Sequence, residues 1–590
     1  MTMLAGIFSR TGEHPIQAAV CERLQNLISR NPDDKAIVFS DSRCFLAKID
    51  IGAYGEPAFH IDQSGSVSML AGEPLLDLDD HDASRTRTQD LELLNQSWDR
   101  ADWDLLTRTR GVFCAVHYQP RLGRLHLISD KLGERPLYFW ANDEVIIFSS
   151  TLRVLEGIPE VPKEMDLRAV TEITAFGYSI GDRTPYTNIV RLRSGEVVQV
   201  SENSIARFQY WRWDAILPST LSEDELLRET FETFTSSVSL RVRKDTTTMA
   251  LLSGGLDSRC VVAALRAQNV RAHTFTFEPD RSQDRVLGAA FARQSGTFHH
   301  EGPLQYTETG GDSFVAALAD AWKTSKYRRD RPPERPQLIW TGDGGSTGAG
   351  CALLSTGLTE LLRAGKRDEA IDFFLREQGA YVVARLFKSH ISEALMPVPR
   401  EAIRAELDDI HCKDPVRAFH IFLMLNDQRH HMSPYYENID LHRFDFQLPF
   451  YDGKFLQLIL AIPINLCLRH RFYMKWFALF PPVVKSVPWQ TYPGHEPCPL
   501  PIPKDLSSQW DPSSARELKT LLRPQVLRDA RAMLGAERLP SPIFNKWHLR
   551  LTSWIHWLGL RDYGYVIQVA KVYYKYWVIS TGKYVVREWT

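Results

Sequence analysis

A glycine-containing loop, Leu251-Leu252-Ser253-Gly254-Gly255-Leu256-Asp257-Ser258, lies near the middle of the chain and indicates the architecture of its second half. The apolar run from Met249 to Leu252 predicts a buried strand before the loop, and Arg259 to Gln268 predicts a helix after it. The two glycines leave the backbone bare, so successive N–H groups can face one anion. A helix N-terminus adds roughly half a positive charge at the same place. The pattern therefore predicts a loop that binds phosphate groups.

This loop differs from the two common glycine-rich phosphate motifs. It lacks the Gly-Lys-Ser/Thr of the P-loop and the Gly-x-Gly-x-x-Gly spacing of dinucleotide-binding folds. It resembles the Ser-Gly-Gly-x-Asp-Ser loop of the ATP pyrophosphatases, which cleave ATP between the α- and β-phosphates. Ser253 and Ser258 supply hydroxyl donors, and Asp257 supplies a carboxylate of the kind that holds Mg²⁺ against phosphate oxygens. The alternative is an ordinary Gly-Gly turn between a strand and a helix.

Strands and helices alternate on both sides of the loop. The predicted segments are strands at 247–252, 271–277 and 337–341 and helices at 223–242 and 284–294. This rhythm is typical of βαβ units and a parallel sheet. After residue 355 the pattern is mostly helical to about residue 480. We therefore expect an α/β fold with helical elaborations in this half.

The first part of the chain contains short apolar or alternating runs separated by turn residues, which predict a strand-rich domain. A break at 218–220 separates the two patterns, so we predict one domain over 1–215 and a second over 222–590. The Pro-rich stretch 487–503 is interpreted as an ordered loop or a lid rather than a linker.

Composition excludes several classes of protein. The chain has 590 residues, a formal net charge of −2 and no basic excess, which disfavours a nucleic-acid surface. Its eight cysteines show no Cys-x-x-Cys spacing, so neither a zinc site nor a disulfide framework is expected. The longest apolar stretch, 455–468, is too short to span a bilayer, and no signal peptide is recognisable. We expect a cytoplasmic protein that binds neither nucleic acid nor a membrane.

The two halves together resemble the class B asparagine synthetases and their relatives, over nearly the whole chain to about residue 495. The matching segments, in order, are Gly111–Phe113, Asp130–Tyr138, Phe148–Ser150, Leu192–Glu196, Ser253–Ser258, Thr341–Gly345 and Leu448–Asp452. The resemblance implies an N-terminal Ntn-type glutaminase-like α/β/β/α sandwich. It implies a C-terminal ATP-pyrophosphatase domain of the adenine nucleotide α-hydrolase type, built on a parallel sheet.

The departures from this family concern the glutaminase. Its members begin Met-Cys-Gly-Ile, with the cysteine as N-terminal nucleophile, whereas this chain has Ala5 at the corresponding position, preceded by four residues. The family's Asn-Gly-Glu is Ala71-Gly72-Glu73 here. Losing one oxyanion donor alone typically costs ~10²–10³ in rate, and losing the nucleophile removes the reaction. We expect an inactive glutaminase domain; substitution of the nucleophile by Cys21 or Cys44 is the alternative.

The resemblance also implies the residues of an ATP and Mg²⁺ site. The expected ATP-binding residues are Leu252, Ser253, Gly254, Gly255, Asp257, Ser258, Phe277, Thr341 and Gly342. Asp257 is the expected Mg²⁺ ligand. Ser346 stands where relatives usually have a second acidic ligand, so Asp343 is predicted as that ligand or as a catalytic group.

Two further positions remain open in the comparison with the family. Lys485 is the candidate for a late catalytic lysine, although Trp489 falls on that position in the alignment. His430 and His431 are possible bases, with a solvated helix face as the competing interpretation.

Within the family the chain looks like the lasso peptide cyclases, which adenylate an Asp or Glu side chain of a precursor core peptide and join it to the peptide's N-terminal amine. The segment Pro488–His495 is similar to a motif of that branch, and the C-terminal region is rich in aromatic residues suited to gripping a peptide. A leader peptidase and a leader-recognition protein are the partners this implies. The alternatives are a β-lactam synthetase-like ligase with a small substrate, an asparagine synthetase and a non-catalytic scaffold.

Overall fold

The computed structural model describes residues 2–12, 16–78, 85–302, 313–535 and 539–586. The strands, in chain order, are β1 Thr2–Ser9, β2 Ile37–Ser40, β3 Cys44–Asp50, β4 Phe59–Ile61, β5 Val67–Gly72, β6 Phe113–Gln119, β7 Arg124–Ser129, β8 Tyr138–Ala141, β9 Val145–Ser149, β10 Met165–Asp166, β11 Val190–Arg191, β12 Glu196–Val200, β13 Ile205–Gln209, β14 Thr247–Leu251, β15 Arg271–Phe277, β16 Phe298–Gly302, β17 Leu338–Trp340, β18 Asp445–Gln447 and β19 Tyr584–Val585.

The helices, in chain order, are α1 Ala18–Leu27, α2 Arg87–Asp99, α3 Leu152–Gly157, α4 Leu167–Phe176, α5 Glu223–Val242, α6 Asp257–Ala267, α7 Gln283–Ser295, α8 Ser313–Thr324, α9 Tyr327–Asp330, α10 Thr356–Arg363, α11 Arg367–Glu377, α12 Ser389–Leu395, α13 Val398–Asp409, α14 Pro415–Leu423, α15 Arg429–His431, α16 Ser433–Glu437, α17 Ile439–His442, α18 Gly453–Ala461, α19 Ile464–Cys467, α20 Arg471–Phe477, α21 Pro512–Gly535, α22 Lys546–Leu558 and α23 Gly564–Ile579.

These elements form two compact units, and each is assembled from separate parts of the chain. The first consists of Met1–Gly157, Leu192–Ser355 and Gln428–Trp510, and the second of Ile158–Arg191, Thr356–Asp427 and Asp511–Thr590. The sequence predicted a domain boundary between residues 215 and 222. The two spatial units are not consecutive in sequence, so this boundary stays a prediction.

The first unit begins with two stacked antiparallel sheets, in the orders β8-β9-β1-β3-β2 and β13-β12-β7-β6-β5-β4. Strand β1 packs on β5 between the sheets, α1 and α3 cover the first sheet, and α2 covers the second. Because both of their faces are covered, β5 and β6 are buried along their whole length. The predicted α/β/β/α sandwich is confirmed.

The same unit contains a parallel sheet with strand order β16-β15-β14-β17-β18. The predicted strands and helices lie where the sequence indicated: β15 and α5 have the predicted ends, and β14 ends one residue earlier, at Leu251. The strand order reverses between β14 and β17. Open α/β sheets bind ligands beyond the carboxyl ends of their strands at such a reversal.

The second unit is mainly helical and contains α4, α10–α14 and α21–α23. Helix α4 packs on α13 and α23, and the hydroxyls of Thr171 and Tyr573 lie 2.6 Å apart inside it. In the part of the chain that the structure describes, no single helix is long and apolar enough to cross a membrane. One bent pair, Gly453–Ala461 with Ile464–Phe477, reaches the required length and composition only when both halves are counted.

Candidate functional site

A cavity of about 440 Å³ lies at the carboxyl ends of β14, β15 and β17. Its walls come from the loops after these strands and from later segments of the first unit. Lining residues include Leu252, Ser253, Asp257, Ser258, Phe277, Glu278, Asp284, Thr341, Gly342, Asp343, Ser346, His431, Tyr435 and Tyr492. The position matches the ligand site that the sheet topology predicts.

The loop before α6 directs three backbone N–H groups at oxygen atoms. Ser253 N donates to Oγ of Ser258 (3.0 Å), Gly254 N to Oδ1 of Asp284 (3.0 Å) and Gly255 N to Oγ of Ser253 (3.1 Å). Helix α6 begins at Asp257, so its positive N-terminal end faces the same loop. The loop therefore has the donors that a bound phosphate group needs, each now satisfied by a side-chain oxygen.

Asp257 is held on both carboxylate oxygens. The hydroxyl of Tyr473 donates to Oδ1 at 2.5 Å, and Ser346 donates to Oδ2 through its backbone N (2.9 Å) and Oγ (2.7 Å). Burial raises the pKa of Asp257 to about 6, an effect that the hydrogen bonds from Tyr473 and Ser346 oppose and the nearby charge of Asp343 reinforces. Tyr473 was not found from the sequence. Ser346, at the position where the resemblance led us to expect a second acidic ligand, donates to Asp257.

The second loop approaches the first so closely that it needs glycine. A Cβ on Gly342 would lie 2.4 Å from the backbone N of Ser258, and Gly344 has a φ of +88°. Between these glycines, Asp343 accepts a hydrogen bond from the hydroxyl of Thr341, and its Oδ1 lies 2.9 Å from Nε2 of His431. Burial opposes ionisation of Asp343, but His431 and Thr341 outweigh it and lower the pKa. The structure thus brings His431 into the cavity.

The cavity is acidic. Burial and the charge of Asp284 raise the pKa of Glu278 to about 7, and burial raises the pKa of Asp284 although Gly254 N donates to it. Of the described residues that line the cavity, none is a lysine or an arginine. An anionic nucleotide would therefore need the loop N–H groups, the α6 N-terminus and a bound cation to balance its charge.

The donor set fits Mg²⁺ in the form in which nucleotide enzymes bind it. Asp257 and Asp343 line the same cavity, and Oδ1 of Asp257 and both carboxylate oxygens of Asp343 each accept one hydrogen bond, which leaves them a lone pair for a cation. Within the described residues no group of three His, Cys, Asp or Glu side chains is arranged to hold a metal by itself. One or two carboxylates completed by phosphate oxygens and water is the usual Mg²⁺ arrangement.

Most of the residues predicted from the sequence come together here. The predicted residues that line the cavity are Leu252, Ser253, Asp257, Ser258, Phe277, Thr341, Gly342 and Asp343. Gly254 and Gly255 belong to the same loop. Lys485, in contrast, is exposed at the end of a short 3₁₀ turn and is not one of the described lining residues, so its catalytic assignment stays a prediction.

The Pro-rich segment after Lys485 is an ordered loop that contacts the phosphate loop. Gln490 N donates to the carbonyl oxygen of Gly254 at 3.0 Å, and Tyr492 lines the cavity. Trp489 is buried beside the guanidinium of Arg259, which donates to the carbonyl oxygens of Val487 and Pro488. The segment that suggested the substrate class therefore lies at the site.

Among the described residues of the N-terminal sandwich, the positions expected to carry the glutaminase reaction are held in other contacts. Ala5 is buried in the middle of β1, opposite Ala47 and Ser149, and the preceding Leu4 N donates to Oγ of Ser150 at 3.0 Å. The carboxylate of Glu73, which should bind a glutamine amine, forms an ion pair with Arg243 and accepts from Gln447 Nε2.

The two alternative nucleophiles are not activated thiols. Burial raises the pKa of Cys21, although its backbone hydrogen bond opposes the shift, and burial together with the charge of Asp41 raises the pKa of Cys44 well above its ordinary value. Reactive cysteines need a lowered pKa.

Comparison with known protein families gives a match in each half of the chain. The glutamine amidotransferase domain family matches residues 1–211, and the asparagine synthase family matches residues 229–319. The glutamine-hydrolysing asparagine synthetase 3 of Bacillus subtilis is 22% identical over 293 residues, which cover 46% of this chain and 47% of that protein. Asparagine synthetase 2 of the same organism is 23% identical over 268 residues, covering 42% of this chain and 36% of that protein.

A solved structure of an allosteric regulatory enzyme of purine biosynthesis is 11% identical and aligns with a TM-score of 0.25, covering 51% of this chain and 80% of that one. The chain spans about half the length of the curated relatives it matches. The protein thus combines an Ntn-type glutamine amidotransferase-like domain with a parallel-sheet domain of the synthetase type. Its first half is thus similar to glutamine amidotransferase domains and part of its second half to asparagine synthases.

Proposed function

We propose that this protein is an ATP-dependent ligase that adenylates a substrate carboxylate and joins it to an amine carried by the same substrate. The observation that carries the proposal is the meeting of the Ser253–Ser258 loop, Asp257 and Asp343 in one cavity, while Ala5 occupies the nucleophile position of the amidotransferase domain. A dead glutaminase releases no ammonia. The nitrogen must then come from elsewhere, and a substrate-borne amine supplies it.

In the first step ATP is a co-substrate. The loop N–H groups and the α6 N-terminus bind and orient the β- and γ-phosphates. Asp257 and Asp343 would hold Mg²⁺, which when bound neutralises charge on the phosphate oxygens. A substrate carboxylate oxygen bonds to the α-phosphorus while the bond to the β-phosphate oxygen breaks. The products of this step are an acyl adenylate and pyrophosphate.

In the second step the amine nitrogen bonds to the acyl carbon, the bond from that carbon to the AMP oxygen breaks, and one proton leaves the amine. With Asp343 assigned to Mg²⁺, His431, whose Nε2 lies 2.9 Å from Oδ1 of Asp343, is the group in the cavity placed to accept this proton. Overall the substrate loses the elements of water, whose oxygen leaves with AMP. Holding amine and acyl adenylate in one molecule gives an effective molarity of ~10⁵ M or more when the geometry is good.

The substrate class we propose is a lasso precursor peptide, whose Asp or Glu side chain is joined to its N-terminal amine. This proposal rests on the similarity of the Pro488–His495 segment to a motif of the lasso cyclases, and the segment lies at the site, where Gln490 contacts the phosphate loop and Tyr492 lines the cavity. A precursor core peptide, a leader peptidase and a leader-recognition protein are then the partners. A suitable candidate is a short peptide encoded beside the gene, with Thr before a small first core residue and an acid several positions later.

The test is product formation by the full chain with ATP, Mg²⁺ and this core peptide. We expect loss of one water from the peptide together with AMP and pyrophosphate. Asp257→Ala abolishes the products, whereas Asp33→Ala, at an exposed carboxylate outside the cavity, preserves them. Product formation unaffected by Asp257→Ala would indicate a scaffold instead.

A second candidate, asparagine formation from aspartate and ammonia, is favoured by the names of the relatives. It predicts that aspartate with ammonium salts, and no peptide, drives AMP formation. Cyclisation of a small β-amino acid, with no effect of the peptide, would favour the third possibility, a β-lactam synthetase-like ligase.

A further inference from the structure

Helix α22 buries polar side chains and exposes large apolar ones. Its buried residues are Leu549, Thr552, Ser553 and His556, three of them polar, whereas its tryptophans are exposed to solvent. Trp547 is 79% exposed and Trp554 is 55% exposed. Ordinary surface helices bury their apolar side and expose their polar side, so this arrangement is the reverse of what folding alone requires.

The exposed apolar side chains form a continuous stripe. Trp547, Leu551, Trp554 and Leu558 are spaced by four, three and four residues, which places them on one face of the helix. We name these four residues the α22 stripe. Trp557 and Leu560 are also exposed beside its C-terminal end. Scattered apolar residues are normal on a surface, but a contiguous patch marks a binding surface.

The segment of sequence that carries the stripe is rich in basic residues, one of which, Lys571, is paired with Asp529 of α21. Residues 546–586 contain one acidic residue, Asp562, and six basic ones: Lys546, Arg550, Arg561, Lys571, Lys575 and Lys583. The whole chain has a net charge of −2, so positive charge is concentrated in this segment. Lys546 and Arg550 are exposed on α22 itself, next to the stripe. The occupant of this surface should therefore be anionic.

We propose that α22 binds the surface of a bilayer that contains anionic phospholipids, with the α22 stripe in the interfacial region and Lys546 and Arg550 at the head groups. Indole rings prefer the boundary between head groups and acyl chains, and a helix with Trp and Leu on one face and cations beside them is typical of interfacial binding. Interfacial binding needs no spanning helix. The sequence led us to expect no membrane binding because no segment can span a bilayer. The proposal differs from that expectation, since a helix that lies on the surface does not span the bilayer.

A second copy of the chain fits this surface less well. A symmetric pair built on the stripe would place the basic residues of both copies, Lys546 and Arg550 among them, in one interface. Like charges face to face in an interface are unfavourable. A partner protein with an acidic surface would also match the positive charge of this segment. The vesicle flotation described next distinguishes such a protein from lipid.

The experiment is flotation of the full chain with vesicles of phosphatidylcholine alone or mixed with phosphatidylglycerol. We expect binding to the mixed vesicles, strongly reduced for Trp547→Ser/Trp554→Ser and about fivefold weaker for each cation removed in Lys546→Gln/Arg550→Gln. The matched control is Leu122→Ser, an exposed apolar residue of the N-terminal sandwich, which should float like the parent protein. Thermal melting and ATP binding report whether each variant is folded.

A measurement without substitution adds a second readout: brominated phosphatidylglycerol should quench part of the tryptophan fluorescence of the parent protein. Failure of the parent protein to float and to be quenched overturns the proposal, as does flotation that the stripe variant retains in full. If only peptide-dependent product formation depends on the α22 stripe, without lipid binding, the surface serves a protein or peptide instead and the lipid proposal is wrong.

Discussion

The hydroxyl of Tyr473 donates a 2.5 Å hydrogen bond to Oδ1 of Asp257, and this bond links α20 to the first residue of α6. Burial raises the pKa of Asp257 to about 6, and Tyr473 is the largest of the effects that oppose the rise. In the proposed role of Asp257 as a Mg²⁺ ligand, the proton and the cation compete for this carboxylate, so metal binding should depend on pH.

Tyr473→Phe removes this donor, so the pKa of Asp257 should rise above its present value of about 6. We expect Mg²⁺-dependent ATP binding to weaken about tenfold at neutral pH and to be lost at a higher pH than in the parent protein. Titration calorimetry across a pH series measures both effects. The control is Tyr573→Phe, which removes a buried hydroxyl paired with Thr171 in the second unit. Equal pH midpoints for Tyr473→Phe and the parent protein would contradict the role given to this bond.

The substitution His431→Ala tests the second carboxylate of the cavity, that of Asp343. The pKa of Asp343 is below its ordinary value because His431 and Thr341 outweigh burial, so removing His431 should raise it. We expect kcat to fall by ~10²-fold or more if His431 accepts the amine proton, and the acid limb of the pH–rate profile to move to higher pH. His390→Ala, at an exposed histidine outside the cavity, should change neither. An unaltered profile in the His431 variant would remove this residue from the mechanism.

Restoring the missing nucleophile should not restore glutamine hydrolysis. In Ala5→Cys the new thiol lies inside β1, its backbone N is acylated by Leu4, and Glu73 remains paired with Arg243. The free amine that serves as base and the carboxylate that binds glutamine are then both missing. Ammonia release from glutamine, followed with a coupled dehydrogenase, should equal that of the parent protein. A clear increase would show that the domain needs only its cysteine.

Asp452 should be a structural residue. Its buried carboxylate accepts from Nε of Arg110 at 3.0 Å and from Nη1 of Arg241 at 2.9 Å. Asp452→Asn keeps an acceptor for the N-terminus of α18, but it removes the carboxylate that pairs with Arg241 and leaves the buried guanidinium of Arg110 with Asp77, 3.9 Å away, which should cost roughly 3–5 kcal/mol. A lowered urea midpoint measures the loss, with Asp33→Asn as the exposed control.

The contribution of Asp452 to stability should depend on pH. Burial raises the pKa of its carboxyl, but Arg110 and Arg241 outweigh burial and lower it. A carboxyl whose pKa is lowered on folding stabilises the folded state above its unfolded pKa of about 4, and the stabilisation is lost as the pH falls through the folded value. The parent protein and Asp452→Asn should therefore differ most at neutral pH and converge in acid. A constant difference down to low pH would contradict an ionic role.

Individual strands and helices could be predicted from the sequence because each depends on the spacing of apolar and turn residues within a short segment. Apolar runs and helical spacing predicted β15 and α5 with their observed ends, and they predicted α6 with a start two residues late, at Arg259 instead of Asp257. The cavity residues that follow strand ends were found for the same reason, since parallel strands end at one edge of the sheet.

The remaining site residues depend on contacts that no local pattern records. Tyr473 reaches Asp257 from 216 residues away, and His431 meets Asp343 from a short helix that the sequence interpretation favoured as a solvated face. The division into units was also beyond local patterns. Helix α4 belongs with α13 and α23 in the second unit, although it lies within the first part of the sequence.

The central claim is that an acyl adenylate forms here and is captured by an amine of the same molecule. The most direct measurement is mass spectrometry of the products from a core peptide whose acceptor carboxyl carries ¹⁸O in both positions, incubated with ATP and Mg²⁺. The account predicts AMP with one ¹⁸O, unlabelled pyrophosphate and a peptide that has lost one labelled water. Unlabelled AMP, release of ADP and phosphate, or a product that requires glutamine or ammonia would contradict it.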